Sequence, residues 1–165
     1  MAEIETPRLT LHRFTLADAD EVFAAITPEV TRWMSWDPPS REAFQVRAAA
    51  LAVADPAADM NLVIRRRDTG ECLGVCAGER LTDETPELGI WLRVTAHSQG
   101  YGAEAVAALL RWASAATGKP GFLWPVAVEN TASRRIAERL GGQLIAERPG
   151  AKYDAVVYRI PARAY

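Results

Sequence analysis

The sequence predicts an α+β domain built on a mixed sheet, and three observations carry that prediction. Short runs of alternating apolar and polar residues, bounded by turn residues, recur along all 165 residues. Two of these runs, near residues 90 and 125, are separated by an alanine-rich amphipathic stretch, so a helical crossover should make them parallel. Elsewhere, tight turn signals such as Asp68-Thr69-Gly70-Glu71 join neighbouring runs and should make them antiparallel.

Each element has a local cause. Leu9-Thr10-Leu11-His12-Arg13-Phe14 alternates as a half-buried strand does, and Thr15 with Asp18 three positions on is a helix-start signal. The helix that follows buries Val22, Phe23 and Ile26 and is expected to end at Pro28. A second helix starts at Ser40, after Pro38-Pro39, and runs through Phe44 and Leu51 to Asp55-Pro56. Between the two lies the aromatic loop Trp33-Met34-Ser35-Trp36. Residues 61–66 and 72–79 form a hairpin, with Gly70 placed where a positive φ is cheap. Glu87-Leu88-Gly89-Ile90-Trp91-Leu92 is a further strand. A glycine-containing loop then opens a helix over 101–116 with Val106, Leu109, Leu110 and Ala113 on its buried face. Residues 122–128 form a strand and residues 131–140 a short helix closed by Gly141-Gly142. The last strands are 143–147 and 155–160. No internal repeat, linker or low-complexity segment interrupts this order.

Composition narrows the function classes. Hydrophobic residues make up 49%, charged residues 24%, and the net charge is −2, a globular composition without the basic excess that favours nucleic-acid binding. The triplet Arg65-Arg66-Arg67 reads as a solvated hairpin end. No stretch approaches the roughly 20 apolar residues of a membrane span. The start, Met1-Ala2-Glu3-Ile4-Glu5, lacks the features of a secretory signal, so a cytoplasmic location is the default expectation. Cys72 and Cys76, four residues apart on one strand, have Cα atoms about 13 Å apart and cannot pair with each other. They read as small buried hydrophobes. Two histidines without clustered cysteines give no metal site.

The chemically informative stretch is His97-Ser98-Gln99-Gly100-Tyr101-Gly102-Ala103-Glu104-Ala105, between a strand and a helix. Consecutive backbone N–H groups at a helix N-terminus, beside glycines that admit a ligand to the main chain, suit a pyrophosphate. The spacing Gly100-x-Gly102-x-x-Ala105 also fits a dinucleotide-binding fingerprint, but that would want an acidic residue about 20 positions on, and Trp124-Pro125 stand at the next strand instead. A purely structural turn is a third reading.

The block from Glu87 to Leu92 followed by His97 and the Gly-x-Gly-Ala-Glu-Ala helix start resembles motif A of the GNAT superfamily. Downstream, Val128-Glu129-Asn130-Thr131-Ala132-Ser133 with Ile136, Leu140 and Gly141 is similar to that superfamily's Asn-x-x-Ser helix. Upstream, residues 6–14 with Asp18-Ala19, and the tail Tyr153-Asp154-Ala155-Val156-Val157-Tyr158, resemble its RimJ/RimL branch. The resemblance spans nearly the whole chain and implies a single GNAT domain over residues 1–165. Its fold would be a mostly antiparallel mixed sheet with a splayed central parallel pair and about four helices. It implies acetyl-CoA as co-substrate, no metal, and a primary amine, either a protein N-terminus or a small molecule, as acceptor. The acceptor's identity and the oligomeric state are not specified.

Site roles follow from the same resemblance. The pantetheine arm would bond backbone near Trp91 and Leu92 and touch Asn130. The pyrophosphate would sit on the amides of Ser98, Gln99, Gly100, Tyr101, Gly102 and Ala103. His97 stands where Arg or Gln is usual, so coenzyme affinity is expected to depend on pH. Glu87 resembles the branch's general base. Ala137 occupies the position of the usual tyrosine acid, leaving Ser133 either to protonate the departing thiolate or simply to bond the helix backbone. Tyr153 and Tyr158 are further candidates, with a structural role favoured by alternation in the last strand. Trp33, Met34 and Trp36 either wall the acceptor pocket or pack in the core. The missing tyrosine keeps a second function open, an acyl-CoA-binding module with little or no catalysis. A third is an interaction protein that has kept the fold and lost the coenzyme.

Overall fold

The computed structural model describes residues 3–163. Eight strands form one sheet in the order β1-β2-β3-β4-β5-β6-β8-β7. The strands are β1 (Ile4–Glu5), β2 (Leu9–Arg13), β3 (Met60–Arg66), β4 (Cys72–Glu79), β5 (Glu87–Leu92), β6 (Gly121–Ala127), β7 (Gln143–Arg148) and β8 (Ala155–Pro161). The helices are α1 (Ala19–Ala25), α2 (Pro28–Thr31), α3 (Arg41–Val53), α4 (Tyr101–Thr117) and α5 (Thr131–Arg139). The mixed sheet follows the sequence expectation: every neighbouring pair is antiparallel except β5 and β6, which the α4 crossover makes parallel.

The differences from the sequence reading are local. Pro28 does not end the first helix. That helix stops at Ala25, and Pro28 opens α2, where a missing N–H costs nothing and Thr27 accepts from Val30 N–H at 3.3 Å. Five α-helices among the described residues therefore stand where about four were expected. The two-residue β1 also went unforeseen, since it is fixed only by pairing with β2.

The sheet is covered on both faces, which explains strands that read as near-continuous apolar runs. In β3, Leu62 and Ile64 point to a core shared with Leu109 and Leu110 of α4, whereas Val63 points to a second core with Phe14, Val22 of α1 and Phe44 of α3. Leu109 and Leu110 are fully buried, each contributing about 1.5–3 kcal/mol of apolar transfer. In β5 the same alternation packs Leu88, Ile90 and Leu92 toward α4, and Trp91 toward α1 and α3. Glu87 and Gly89 share the face of Trp91.

The three consecutive arginines form a solvated hairpin end only in part, for Arg67 is exposed and Arg66 half-buried while Arg65 is drawn inward. Arg65 is mostly buried against Asp18 (2.8 Å) and Glu21 (2.6 Å), Arg66 pairs with Asp68, and Arg67 reaches Glu5 and the Thr6 carbonyl. The cysteines are free and buried on β4, and burial pushes the Cys76 thiol up to about 12. No helix of the described residues is long and apolar enough to cross a membrane.

Candidate active site

The parallel junction at the centre of the sheet is almost unmade. Its register contains one pair, Glu87 opposite Leu123, where Leu123 N–H donates to the Pro86 carbonyl at 2.8 Å. Sequence explains why it stops. Val128 N–H and Ala162 N–H bond across to Asp154 and Pro120, so the even-numbered residues of β6 face β8 and the odd-numbered ones face β5. After Leu123 the next odd residue is Pro125, which has no N–H to continue the ladder. On the other side, Arg93 N–H donates to Leu73, so alternation turns the backbone groups of Ile90 and Leu92 away from β4 and into the gap.

At the end of β5 the chain forms a cradle of amides. Ser98 (φ 59°) and Gly100 (φ 82°) both lie in the left-handed region, and Gly100 precedes the 17-residue helix α4. The N–H groups of Tyr101, Gly102 and Ala103, in the first turn of α4 ahead of the Glu104-to-Gly100 bond, have no backbone partner and open on the loop of residues 98–100, an arrangement that suits a pyrophosphate. The two glycines differ. A Cβ at Gly100 would meet Arg8 Nη2 at 3.3 Å, whereas one at Gly102 would point into the core against Ile136 Cδ1 at 3.2 Å. Gly102 is thus a packing glycine between α4, α5 and β5. Tyr101 is buried, so its ring faces the core. Gln99 Nε2 donates to the Thr95 carbonyl at 2.7 Å, holding the loop closed on itself.

His97 is exposed, and its Nε2 lies 2.8 Å from the Leu92 carbonyl, to which it donates. The ring thereby caps one of the two carbonyls at the open edge of β5. Beside the cradle stands Arg8, a residue that motif reading did not single out. Its guanidinium donates to Glu104 Oε2 at 2.6 Å and to the Gln99 carbonyl at 2.8 Å, and lies 4.5 Å from the centre of the Tyr101 ring. Glu104 also receives Thr6 Oγ1 at 2.5 Å and Arg8 N–H at 2.9 Å. Burial opposes its ionisation, but these donors together hold its carboxyl below the usual range. The signal for this pair was an arginine near the N-terminus and a glutamate in the first turn of α4, 96 residues apart.

From the gap a cleft of about 650 Å³ opens between β5, β6, α5, the aromatic loop and the segment after β7. It brings together Glu87, Asn130 and Ser133 of the expected site, and also Trp33, Met34 and Trp36. Glu87 is not a surface carboxylate: its side chain is 15% exposed, with Arg80 Nη2 at 2.5 Å and Arg148 Nη2 at 3.3 Å from Oε1. Arg80 holds a left-handed backbone (φ 54°), with its N–H on Asp59 at 2.9 Å. Asn130 caps α5, its Oδ1 accepting Ser133 N–H at 3.2 Å. Ser133 Oγ accepts the Trp124 indole N–H at 3.2 Å, leaving its own proton available.

The two tyrosines separate. Tyr158 is buried and donates to Glu138 at 2.9 Å while accepting from Arg134 at 3.1 Å, a structural role. Tyr153 lies before β8 rather than within it, lines the cleft edge-on to Trp33, and has a phenol pushed up by burial. The loop carrying it is tied to the aromatic loop by Lys152, whose Nζ donates to the Thr31 carbonyl (3.0 Å), the Trp36 carbonyl (3.1 Å) and Asp37 (2.6 Å). Ala137 is fully buried and adds nothing to the cleft. Among the described residues, no group of three or more His, Cys, Asp or Glu side chains is placed to hold a metal.

An opened parallel pair, an amide cradle at its end and a cleft across its mouth are the arrangement of an acyltransferase. The family model for the acetyltransferase (GNAT) domain matches residues 8–143, and the chain belongs to that family. Its fold is similar to a GNAT-family acetyltransferase from Bacillus anthracis (19% identity, TM-score 0.85, covering 98% of this chain and 99% of that one). It is also similar to an acetyltransferase from Agrobacterium tumefaciens (28%, TM-score 0.79, 96% and 94%). A third similar structure is the RimL ribosomal L7/L12 alpha-N-protein acetyltransferase in complex with coenzyme A (16%, TM-score 0.82, 97% and 98%). No curated protein matches the chain significantly by sequence.

Proposed function

We propose that this protein, acting as a single domain, transfers the acetyl group of acetyl-CoA to a primary amine, a protein N-terminus or a small molecule, by direct attack within a ternary complex. We place it with the RimJ/RimL-like enzymes. The observation that carries the reading is the gap beyond the Glu87–Leu123 pair, with amides converging at one end and a carboxylate-bearing cleft at the other.

Each role has a physical basis. The amides of residues 98–103 receive the pyrophosphate, with Arg8 adding positive charge at the cradle's edge. The open backbone of Ile90 and Leu92 and the side chain of Asn130 receive the pantetheine arm, whereas Trp91, expected beside them, spends its backbone on Val75 of β4; the His97 ring keeps the Leu92 carbonyl occupied and orients the strand end. Glu87 takes the proton of the attacking amine, directly or through one water. The guanidiniums of Arg80 and Arg148 both hold Oε1, which fixes the carboxylate and leaves Oε2 without a partner among the described residues. Backbone N–H at the open edge of β5 meets the developing oxyanion. The leaving thiolate takes a proton from Ser133 or from Tyr153, both hydroxyls of the cleft.

Incubation with labelled acetyl-CoA and a broad amine panel, alongside calorimetry of coenzyme binding, tests the reading. Label transfer to an amine supports it. Tight coenzyme binding without transfer to any acceptor replaces it with the acyl-CoA-binding module, and absence of binding removes both. Comparing Ser133→Ala with Tyr153→Phe assigns the acid, because only its loss should lower kcat while leaving coenzyme affinity in place.

A further inference from the structure

We propose that the acceptor is a primary amine carrying a compact, uncharged apolar group, and that this group lodges in a second pocket beside the cleft. The inference rests on the amine-acetyltransferase reading above and names the acceptor class for that site.

The second pocket, about 120 Å³, lies between the sheet and helices α1 and α3 and is walled mainly by Phe14, Val22, Ile26, Phe44, Val75 and Trp91. Its size approaches that of a dry protein cavity of ~150 Å³ able to hold a benzene ring. Trp36 and Arg47 line both this pocket and the main cleft, so the two adjoin at those side chains.

The floor joining them is the outward face of β5, which presents Glu87, Gly89 and Trp91 in turn. A Cβ at Gly89 would meet nothing within 4 Å. The residue opposite it on β4 is Ala77. Two small residues thus leave a shallow trough between a carboxylate and an indole whose Cα atoms lie about 13 Å apart along the strand. An amine held at Glu87 would direct its substituent along this trough toward Trp91.

Charge narrows the class further. Arg47 stands at the junction, 5.8 Å from the Trp36 ring, with no acidic partner among the described residues. The only carboxylate lining the pocket, Asp37, is held by Lys152 at 2.6 Å. A second cation on the acceptor would find repulsion at the mouth and no partner within.

The test compares kcat/KM of the full chain for phenethylamine, ethylamine and putrescine at saturating acetyl-CoA. Phenethylamine should exceed ethylamine by roughly 10- to 100-fold, the worth of burying an apolar ring or several methylenes. Putrescine should not exceed ethylamine. Gly89→Val, whose Cβ meets nothing within 4 Å and whose methyls narrow the trough, should collapse the phenethylamine-to-ethylamine ratio toward one. Trp36→Ala, which removes the shared wall, should shift preference toward bulkier apolar amines. Equal or better use of ethylamine or putrescine by the wild type overturns the proposal, as does an unchanged ratio in folded Gly89→Val. Those results would leave amine acetylation standing. Failure to acetylate any amine despite coenzyme binding would instead overturn the transferase reading, and this proposal with it.

Discussion

The two ends of the gap are built from different material. The cradle end is main chain: left-handed Ser98 and Gly100 aim amides at the mouth of a long helix, and side chains serve mostly to hold that backbone in place. The proposed acceptor end is side chain: Glu87 between two arginines, an aromatic loop, and Lys152 strapping that loop to the segment after β7. A backbone site needs few residue types and tolerates drift elsewhere. A side-chain site depends on each identity and on contacts more than a hundred residues apart. Mutations should therefore separate into changes that act on the coenzyme and changes that act on turnover or the acceptor.

Glu87→Gln is the strongest division of the two ends. A general base typically contributes about 10²- to 10⁴-fold, or about 3–5 kcal/mol, so kcat should fall within that range while calorimetry finds coenzyme affinity nearly intact. Activity should recover partly at high pH, where the amine is already neutral. Wild-type kcat would make Glu87 an anchor for Arg80 and Arg148, and lost coenzyme binding would erase the division itself.

Gly100→Val and Gly102→Val sharpen the cradle side. At Gly100 the left-handed backbone and the nearby Arg8 guanidinium oppose any Cβ, at a backbone cost of roughly 1–2 kcal/mol. We expect about a tenfold or greater loss of coenzyme affinity with the fold kept. At Gly102 the new side chain presses on Ile136, so thermal stability should fall first, by about 1–3 kcal/mol. Identical behaviour of the two variants would mean that both glycines serve the ligand.

Acid should loosen the cradle through Glu104. Its folded carboxyl titrates below the ordinary glutamate range, so its stabilising contribution is complete above that range and is lost as pH falls through the depressed one. Glu104→Gln should cost about 1–2 kcal/mol near neutral pH from weakened charge-assisted bonds. It should also flatten the acid limb of stability measured by urea titration. An unchanged limb would place the acid sensitivity elsewhere.

The smallest expected effect lies on the acceptor side. Lys152→Met removes three donated bonds of an exposed lysine, and the acceptor KM should rise about threefold to tenfold, roughly 0.7–1.4 kcal/mol. Coenzyme affinity should not move. A parallel change in coenzyme affinity would show that the strap supports the whole gap rather than one wall.

The sequence carried most of the fold because its determinants are local. Alternation exposed the strands, Gly70 marked the hairpin, and the alanine-rich face of α4 required a parallel crossover. The cradle was legible for the same reason, although Gly102 was read as facing the ligand when its missing side chain faces Ile136. Arg8, Arg80, Arg148 and Lys152 were not found, since nothing near each of them in the chain reports its partner. Tyr153 stands before β8, as the expected bounds of the last strand had it, but nothing local reported that the Asp37 contact of Lys152 ties its segment across the cleft. The second pocket was equally hidden, for it arises only where α1 and α3 meet β5.

Pro125 gives the molecule a seam that cannot close by zipping. In most sheets, an opening between central strands is under constant pull to heal, because each added pair satisfies two polar groups. Here the first stitch past Leu123 lacks its thread. A valine at that position would supply the missing N–H, and the ladder could advance by one pair into the space meant for a ligand. Such a protein would be expected to melt higher and to bind coenzyme less well, so the imino acid keeps the sheet permanently short of its most stable form in order that a guest can complete it.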